Sequence, residues 1–294
     1  MLRRVVDNPL LEAAIAVLLL GCIPIIIKSI SANAITIGLF RLTTGILFLA
    51  IWLKGKKYFL DLKRKDWAVL MLIGIIFGIH WLTYFFSIKI SSVSMAVIGL
   101  SSYGVHLILL SSMFRVTKVQ PSDILAVILA IIGNLLVVPD YSLKNDATLG
   151  LVLGIVSGFL YACLPLIHQR HSHIPSTIRT FGQFLFAFAL FIIFLPNANI
   201  PSTGLDWIGL LFLGIFGTVF THTLWVRVTT VLSTNTTSVV YYGYLPVAIK
   251  LDYFVLGGEI TLRMLCGAIL IVVASICGVL HQLKNNTVMA QNLR

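Results

Sequence analysis

Charge is scarce in this sequence. Only 11% of its 294 residues are charged and ten carry a carboxylate, whereas a soluble domain has about 25% charged residues. Hydrophobic residues make up 59% of the chain and recur in runs of about 20, the length that a helix needs to cross a bilayer. The alternating segments of about ten residues that mark an outer-membrane barrel are absent. The composition therefore predicts an all-α polytopic membrane protein, with the lipid bilayer as a partner.

Cysteine and the common catalytic motifs are scarce or absent too. The four cysteines lie in apolar runs without a CxxC pair, which excludes a secreted disulfide framework and favours a packing role. There is no HExxH, GxSxG or GxxxxGK[ST] motif, and no GxGxxG after a strand, so no ATP site is predicted. We expect no enzyme activity, no catalytic residues, no cofactor and no metal. The string His168, His171 and His173 is interpreted as an interfacial cluster, since a metal site needs further ligands.

Basic residues outnumber acidic residues, and the net charge is +11. The basic residues lie in short connections and not on a soluble domain, which argues against nucleic-acid binding. With the N-terminus in the cytoplasm, fifteen basic residues fall on the inner side and five on the outer side, and Lys250 is left inside a span. This asymmetry predicts cytoplasmic N and C termini. The expected location is the cell (inner) membrane.

Ten transmembrane helices are predicted from the apolar runs. Their approximate ranges are 10–30, 34–54, 67–88, 92–114, 121–139, 148–169, 175–195, 205–228, 234–256 and 262–283.

The ten spans contain a weak internal repeat, in which the second half matches the first at one constant shift along the chain. This repeat shift places Cys22-Ile23-Pro24 on Cys163-Leu164-Pro165, and Tyr103 on Tyr244. Because each copy has five spans, an odd number, the second copy enters the membrane from the opposite side. Two inverted five-helix repeats are a building plan of secondary transporters, whose substrate site lies near the midplane between the halves.

The sequence also resembles a known family, the EamA family of the drug/metabolite transporter superfamily. The resemblance is carried by Lys28 and Arg41, by the segment GIHWLTYFFSIKISSVSMAVIG, and in the second copy by Pro246, Gly257-Gly258-Glu259 and Gly267. It implies one EamA repeat over 10–139, an inverted one over 148–283, and a cytoplasmic tail over 284–294. Two positions of the first copy depart from the signature, with Val105 in place of the proline and Lys118 in place of the glutamate.

Candidate binding residues are the polar and aromatic side chains inside the spans, since polar groups in a membrane usually face a cavity or a partner. Lys28 and Arg41 are placed near the outer face, either snorkelling to the interface or binding an anionic group. Lys250 lies one turn after Pro246 and is interpreted as either a salt bridge with Asp252 or Glu259, or a substrate contact. The remaining candidates are the aromatic and histidine residues His80, Tyr84, Tyr103, His106, His222, Trp225, Tyr241 and Tyr244.

These features predict a secondary transporter of small metabolites that works by alternating access, with an amino acid or related organic anion as the first expected substrate. The resemblance favours export. The alternatives left open are a carrier of nucleotide-derived or cofactor-like metabolites, a membrane-embedded enzyme, and a receptor without transport. The oligomeric state is also open, with a homodimer as one option.

Overall fold

The structure, a computed structural model, describes residues 8–54, 62–114, 121–137, 142, 144–232, 234–273 and 276. These residues form helices, turns and loops and no strand. The helices of the first half are α1 (Pro9–Ser29), α2 (Ala34–Leu53), α3 (Arg64–Ile90), α4 (Val93–Ser101), α5 (Tyr103–Met113) and α6 (Pro121–Val137).

The second half begins with α7 (Asp146–Arg170) and α8 (Ser176–Phe191), which a 3₁₀ turn extends to Asn197. It continues through α9 (Gly204–Gly214), a π-helical segment (Ile215–Phe220), α10 (Thr221–Val231), α11 (Thr234–Tyr241), α12 (Tyr244–Leu256) and the short apolar α13 (Leu262–Val273).

Seven helical stretches of the described residues are long and apolar enough to cross a membrane, and α13 is a shorter apolar helix. The stretches include α4 with α5 as one unit and α9 through α10 as another. The all-helical membrane architecture is thus confirmed, while the total of ten spans stays a prediction. The tail over 284–294 and the end of the last predicted span lie outside the described residues.

Asparagine side chains start several of these helices. Oδ1 of Asn8 accepts a hydrogen bond from the amide of Leu10 (3.0 Å), and Oδ1 of Asn33 accepts one from the amide of Thr36 (2.9 Å). The first amides of a helix lack partners within the helix, and a side-chain oxygen at the cap supplies one. The local sequence therefore determines where α1 and α2 begin.

Two predicted spans are interrupted at equivalent positions. The fourth is divided into α4 and α5 at Ser102, and the ninth into α11 and α12 at Tyr242–Gly243. The repeat shift that pairs Cys22 with Cys163 also pairs Ser102 with Gly243. The two halves therefore share a broken helix that faces the centre of the molecule, a feature common in transporter binding sites.

Helices of the first half pack mainly against helices of the second half. Helix α3 packs mainly against α7 and α8, and α4 against α7, while α1 packs against α10 and α12. Small residues allow the close approach, since a Cβ built on Gly154 of α7 would lie 2.8 Å from the carbonyl oxygen of Ala96 and 3.1 Å from Cα of Gly99. Large apolar side chains such as Ile51 and Phe254 remain exposed on the outer faces, as expected for lipid contact.

Candidate functional site

A small cavity lies at the centre of the helices, with a volume of about 20 Å³. Such a space holds a water molecule or two, so the structure is closed around the site. Its lining comes from both halves and consists of Leu20, Ile23, Arg41, His80, Trp81, Tyr84, Phe85, Leu100, Tyr161, His222, Tyr241 and Tyr244.

Arg41 is the charged side chain of this lining. It lies two turns into α2 and is 1% exposed, so its side chain is buried between the helices and does not snorkel to a surface. Its Nε donates to Oγ1 of Thr218 (2.8 Å) and its Nη2 to the carbonyl of Gly217 (2.9 Å). Both acceptors belong to the π-helical segment, where the altered helix geometry is a frequent mark of functional sites.

The guanidinium of Arg41 is held but not neutralised. Its carbon lies 4.2 Å from the ring centre of Trp81 and 5.2 Å from that of Phe85, distances at which a cation is attracted to an aromatic face. Its Nη1 is buried without a hydrogen-bond partner. In the described part of the chain the ion pairs are His173–Asp66 and Arg227–Glu12, and neither includes Arg41. An unmatched buried cation is costly, and an anionic group in contact with Nη1 would offset that cost.

Two histidines flank the arginine in the lining. Nδ1 of His80 lies 2.7 Å from Oγ of Ser157, and its ring stacks on Tyr161 at 4.4 Å. His222 meets Trp81 at 5.4 Å between ring centres. The sequence analysis predicted His80 and His222 as site residues but did not include Tyr161. The position of Tyr161 in the sequence, one turn before Pro165, could have indicated that it belongs to the site.

Tyrosines form the wall on the side of the two broken helices. Tyr241 lies 4.6 Å from Tyr244 and 4.4 Å from Tyr103, measured between ring centres. The hydroxyl of Tyr244 donates to the carbonyl of Val97 (2.6 Å), which ties α12 to α4. Tyr241 and Tyr244 line the cavity, whereas Tyr103 is fully buried behind them.

Five of the predicted site residues lie away from this lining, among them Tyr103 and Lys28. Trp225 lines a smaller neighbouring cavity. His106 packs against Phe159 between α5 and α7. Lys250 is exposed on the surface of α12, and Asp252, one of its predicted partners, instead accepts hydrogen bonds from Ser94.

Lys28, also outside the lining, closes one end of the molecule, which we call the Lys28 end. Its Nζ donates to the carbonyls of Lys89 (3.1 Å) and Ser91 (2.5 Å), and Nζ of Lys89 donates to the carbonyl of Ile30 (2.7 Å). The lysines thus cap the last turns of α1 and α3 for each other, where carbonyls lack helical partners.

The opposite end, which we call the Arg227 end, is closed in the same way. Nε2 of Gln169 donates to the carbonyls of Thr229 (3.0 Å) and Leu232 (3.3 Å). Lys28 and Gln169 are paired by the repeat shift, so they perform the same capping in the two halves.

A larger cavity, of about 310 Å³, lies near the Arg227 end and is not lined by any predicted site residue. Its walls are mostly apolar and include the ion pair of Glu12 with Arg227 (3.1 Å). Because this pair is already matched, the cavity carries no unmet charge that would select a ligand.

Comparison with known proteins agrees with the geometry. The sequence profile of the EamA-like transporter family matches residues 9–138 and again residues 148–280. A solved structure, described only as the crystal structure of a protein, covers 92% of this chain and 97% of its own with a TM-score of 0.68 at 15% identity. At this identity the likeness concerns the fold alone. A search of curated proteins found no match.

Proposed function

Since the chain belongs to the EamA-like transporter family, we propose that it carries small organic anions, with amino acids and related carboxylates first, by alternating access through the Arg41 cavity. The observation that supports this substrate class is Nη1 of Arg41, a buried donor without a partner. A carboxylate that binds there would supply both the missing hydrogen bond and the missing negative charge.

The aromatic lining would bind the rest of the substrate. Trp81, Tyr84 and Tyr241 present apolar ring surface with few polar tips, which suits the organic part of a small amphiphilic molecule. The same rings would also accept the base of a nucleotide-derived metabolite, and this is the second candidate substrate. The two candidates differ in size, and we favour the smaller because one carboxylate suffices to pair with the single unpartnered nitrogen of Arg41.

Alternating access requires that the two closed ends open in turn. At the Lys28 end, hydrogen bonds join α1 to α3 and α4 to α12. At the Arg227 end, they join α7 and α8 to α10. We propose that breaking one set at a time exposes the Arg41 cavity to one side. The positive-inside bias puts the Lys28 end outside, and we propose export from the cytoplasm across the inner membrane.

Ligand-induced stabilisation of the purified protein tests the substrate class. A ligand that binds the folded state at 100 times its Kd adds about 2.7 kcal/mol of stability, so a thermal-shift screen should find amino acids or other carboxylates, and not organic cations. Arg41→Met should abolish these shifts. Arg227→Met removes an arginine outside the cavity lining and is the matched control, which should keep them. Equal shifts in both variants, or shifts with cations, would contradict the proposal.

A further inference from the structure

A second small cavity, of about 10 Å³, adjoins the Arg41 cavity on the side of the Arg227 end. Tyr161 and His222 line both cavities and form the wall between them. The polar side chains of the second cavity are His168, Gln183 and Thr229, which come from α7, α8 and α10. The cavity lies just inside the hydrogen bonds from Gln169 that close this end.

His168 has an unmet hydrogen bond in this cavity, and so has the hydroxyl of Tyr161 in the shared wall. His168 is 2% exposed, and its Nε2 lies 3.2 Å from Oε1 of Gln183, which is equally buried. Its Nδ1 is buried without a partner. When Nε2 carries the proton and donates to Oε1 of Gln183, Nδ1 is a free acceptor. A buried acceptor without a donor costs free energy, and the cavity beside it has room for one donor group.

The other half of the molecule shows that packing does not require these polar residues. The repeat shift places Ile27, Leu42 and Ile88 at the positions of His168, Gln183 and Thr229. All three apolar side chains are fully buried, so the same fold position is filled without any polar atom. The polar side chains at the Arg227 side of the site are therefore specific to the second half. Since packing does not require them, they are available to contact a ligand.

We propose that His168 and Gln183 form a second binding station, which accepts a hydrogen bond from an N–H or O–H group at the far end of the substrate. This inference rests on the proposed function, since the carboxylate of the same substrate binds Arg41. Together, the two contacts narrow the substrate class. The substrate is a carboxylate that a short apolar or aromatic part joins to a terminal hydrogen-bond donor. On opening of the Arg227 end, such a substrate meets this station before it reaches Arg41.

Matched pairs of carboxylates test the station by their affinities for the full-length protein in detergent. The probes are L-phenylalanine with L-tyrosine, phenylacetate with 4-hydroxyphenylacetate, and hexanoate with 6-hydroxyhexanoate. Within a pair the members differ by one terminal hydroxyl. We expect the wild-type protein to bind the hydroxylated member of at least one pair about tenfold more tightly, the value of one good hydrogen bond.

Two variants each replace a polar side chain of the station by the apolar residue found at the equivalent position of the first half. His168→Ile and Gln183→Leu place the residues of positions 27 and 42 in the second half, so each has a precedent for packing, and the second serves if the first does not fold. Each should erase the preference for the hydroxyl and leave the affinity for the unhydroxylated member unchanged. Ile27→Leu, in the first half, is the control and should keep the preference.

The outcomes separate this inference from the proposed function. If wild-type protein binds both members of every pair equally, no hydroxyl of the substrate donates to the station and the station is refuted, while anion binding at Arg41 stands. If the two variants weaken both members equally, the residues are structural and the station is again refuted. If Arg41→Met leaves the affinities unchanged, or no carboxylate binds the wild-type protein, the proposed function fails and the station with it.

Discussion

Variants that remove hydrogen bonds from one closed end at a time should shift the protein toward opposite open states. Lys28→Met removes the two hydrogen bonds from Nζ to the carbonyls of Lys89 and Ser91. Gln169→Leu removes the equivalent two hydrogen bonds to Thr229 and Leu232. The first variant should favour the state that is open at the Lys28 end, and the second the state that is open at the Arg227 end.

The size of the effect follows from the bonds lost. A hydrogen bond to a charged group contributes about 1.5–3 kcal/mol. Lys28 is half-buried and water replaces its partners when the end opens, so we take the lower limit for the pair, about 1.5 kcal/mol. That free energy corresponds to about a tenfold change in the equilibrium between closed and open states. Two neutral bonds from Gln169, at about 0.5–1.5 kcal/mol each, give a similar shift.

Cysteine labelling measures this equilibrium from each side. Ile23 lines the Arg41 cavity and is 3% exposed, so Ile23→Cys, in a chain whose four native cysteines are alanine, reports access to the cavity. A membrane-impermeant maleimide is applied to vesicles of known orientation. Lys28→Met should speed labelling about tenfold from the Lys28 side only, and Gln169→Leu from the Arg227 side only. If both variants accelerate labelling from the same side, or neither does, the two ends are not the gates.

Three further predictions follow from single contacts. Asp252→Asn weakens the acceptor for Ser94 by about 1–2 kcal/mol, and should speed labelling of Ile23→Cys from the Lys28 side, which unchanged labelling would contradict. Gly154→Ala puts a Cβ 2.8 Å from the carbonyl of Ala96 and should lower the melting temperature by several degrees, through about 1–3 kcal/mol of overpacking; Gly204→Ala, with nothing within 4 Å, should not. Arg41→Lys keeps the charge but loses the planar contacts with Trp81 and the π-helical segment, so affinity for carboxylates should fall at least tenfold, and wild-type affinity would show that charge alone suffices.

The helices near the N-terminus could be predicted closely from the sequence. The predicted spans 10–30 and 34–54 correspond to Pro9–Ser29 and Ala34–Leu53, because each helix coincides with one apolar run and an asparagine cap fixes its start. The break at Ser102 and the π-helical segment at Ile215–Phe220 could not be predicted. Both depend on contacts with other helices, and no local residue pattern distinguishes an i+5 hydrogen bond from an i+4 one.

The candidate site was predicted in part, for reasons that individual residues make clear. His80, Tyr84, His222, Tyr241 and Tyr244 line the cavity, as helical spacing and the repeat suggested. The burial of Arg41 does not follow from its residue type, because a charged side chain two turns into an apolar helix can equally reach the membrane surface or contact a neighbouring helix.

Lys28 shows the limit of comparing the two copies by residue type alone. Its counterpart Gln169 differs in charge, but the two side chains donate to the carbonyls of Ser91 and Leu232, which the repeat shift also pairs. A lysine and a glutamine can satisfy the same helix end, and this equivalence becomes visible only when their acceptors are known.

The central claim is that Arg41 binds the anionic group of a transported carboxylate. The most direct measurement is the flux of a radiolabelled carboxylate, selected by the thermal-shift screen, into liposomes that contain the wild-type protein, Arg41→Met or Arg227→Met. We predict flux well above that of empty liposomes for the wild-type protein and Arg227→Met, and no more than the empty-liposome rate for Arg41→Met. Undiminished flux through Arg41→Met would contradict the account.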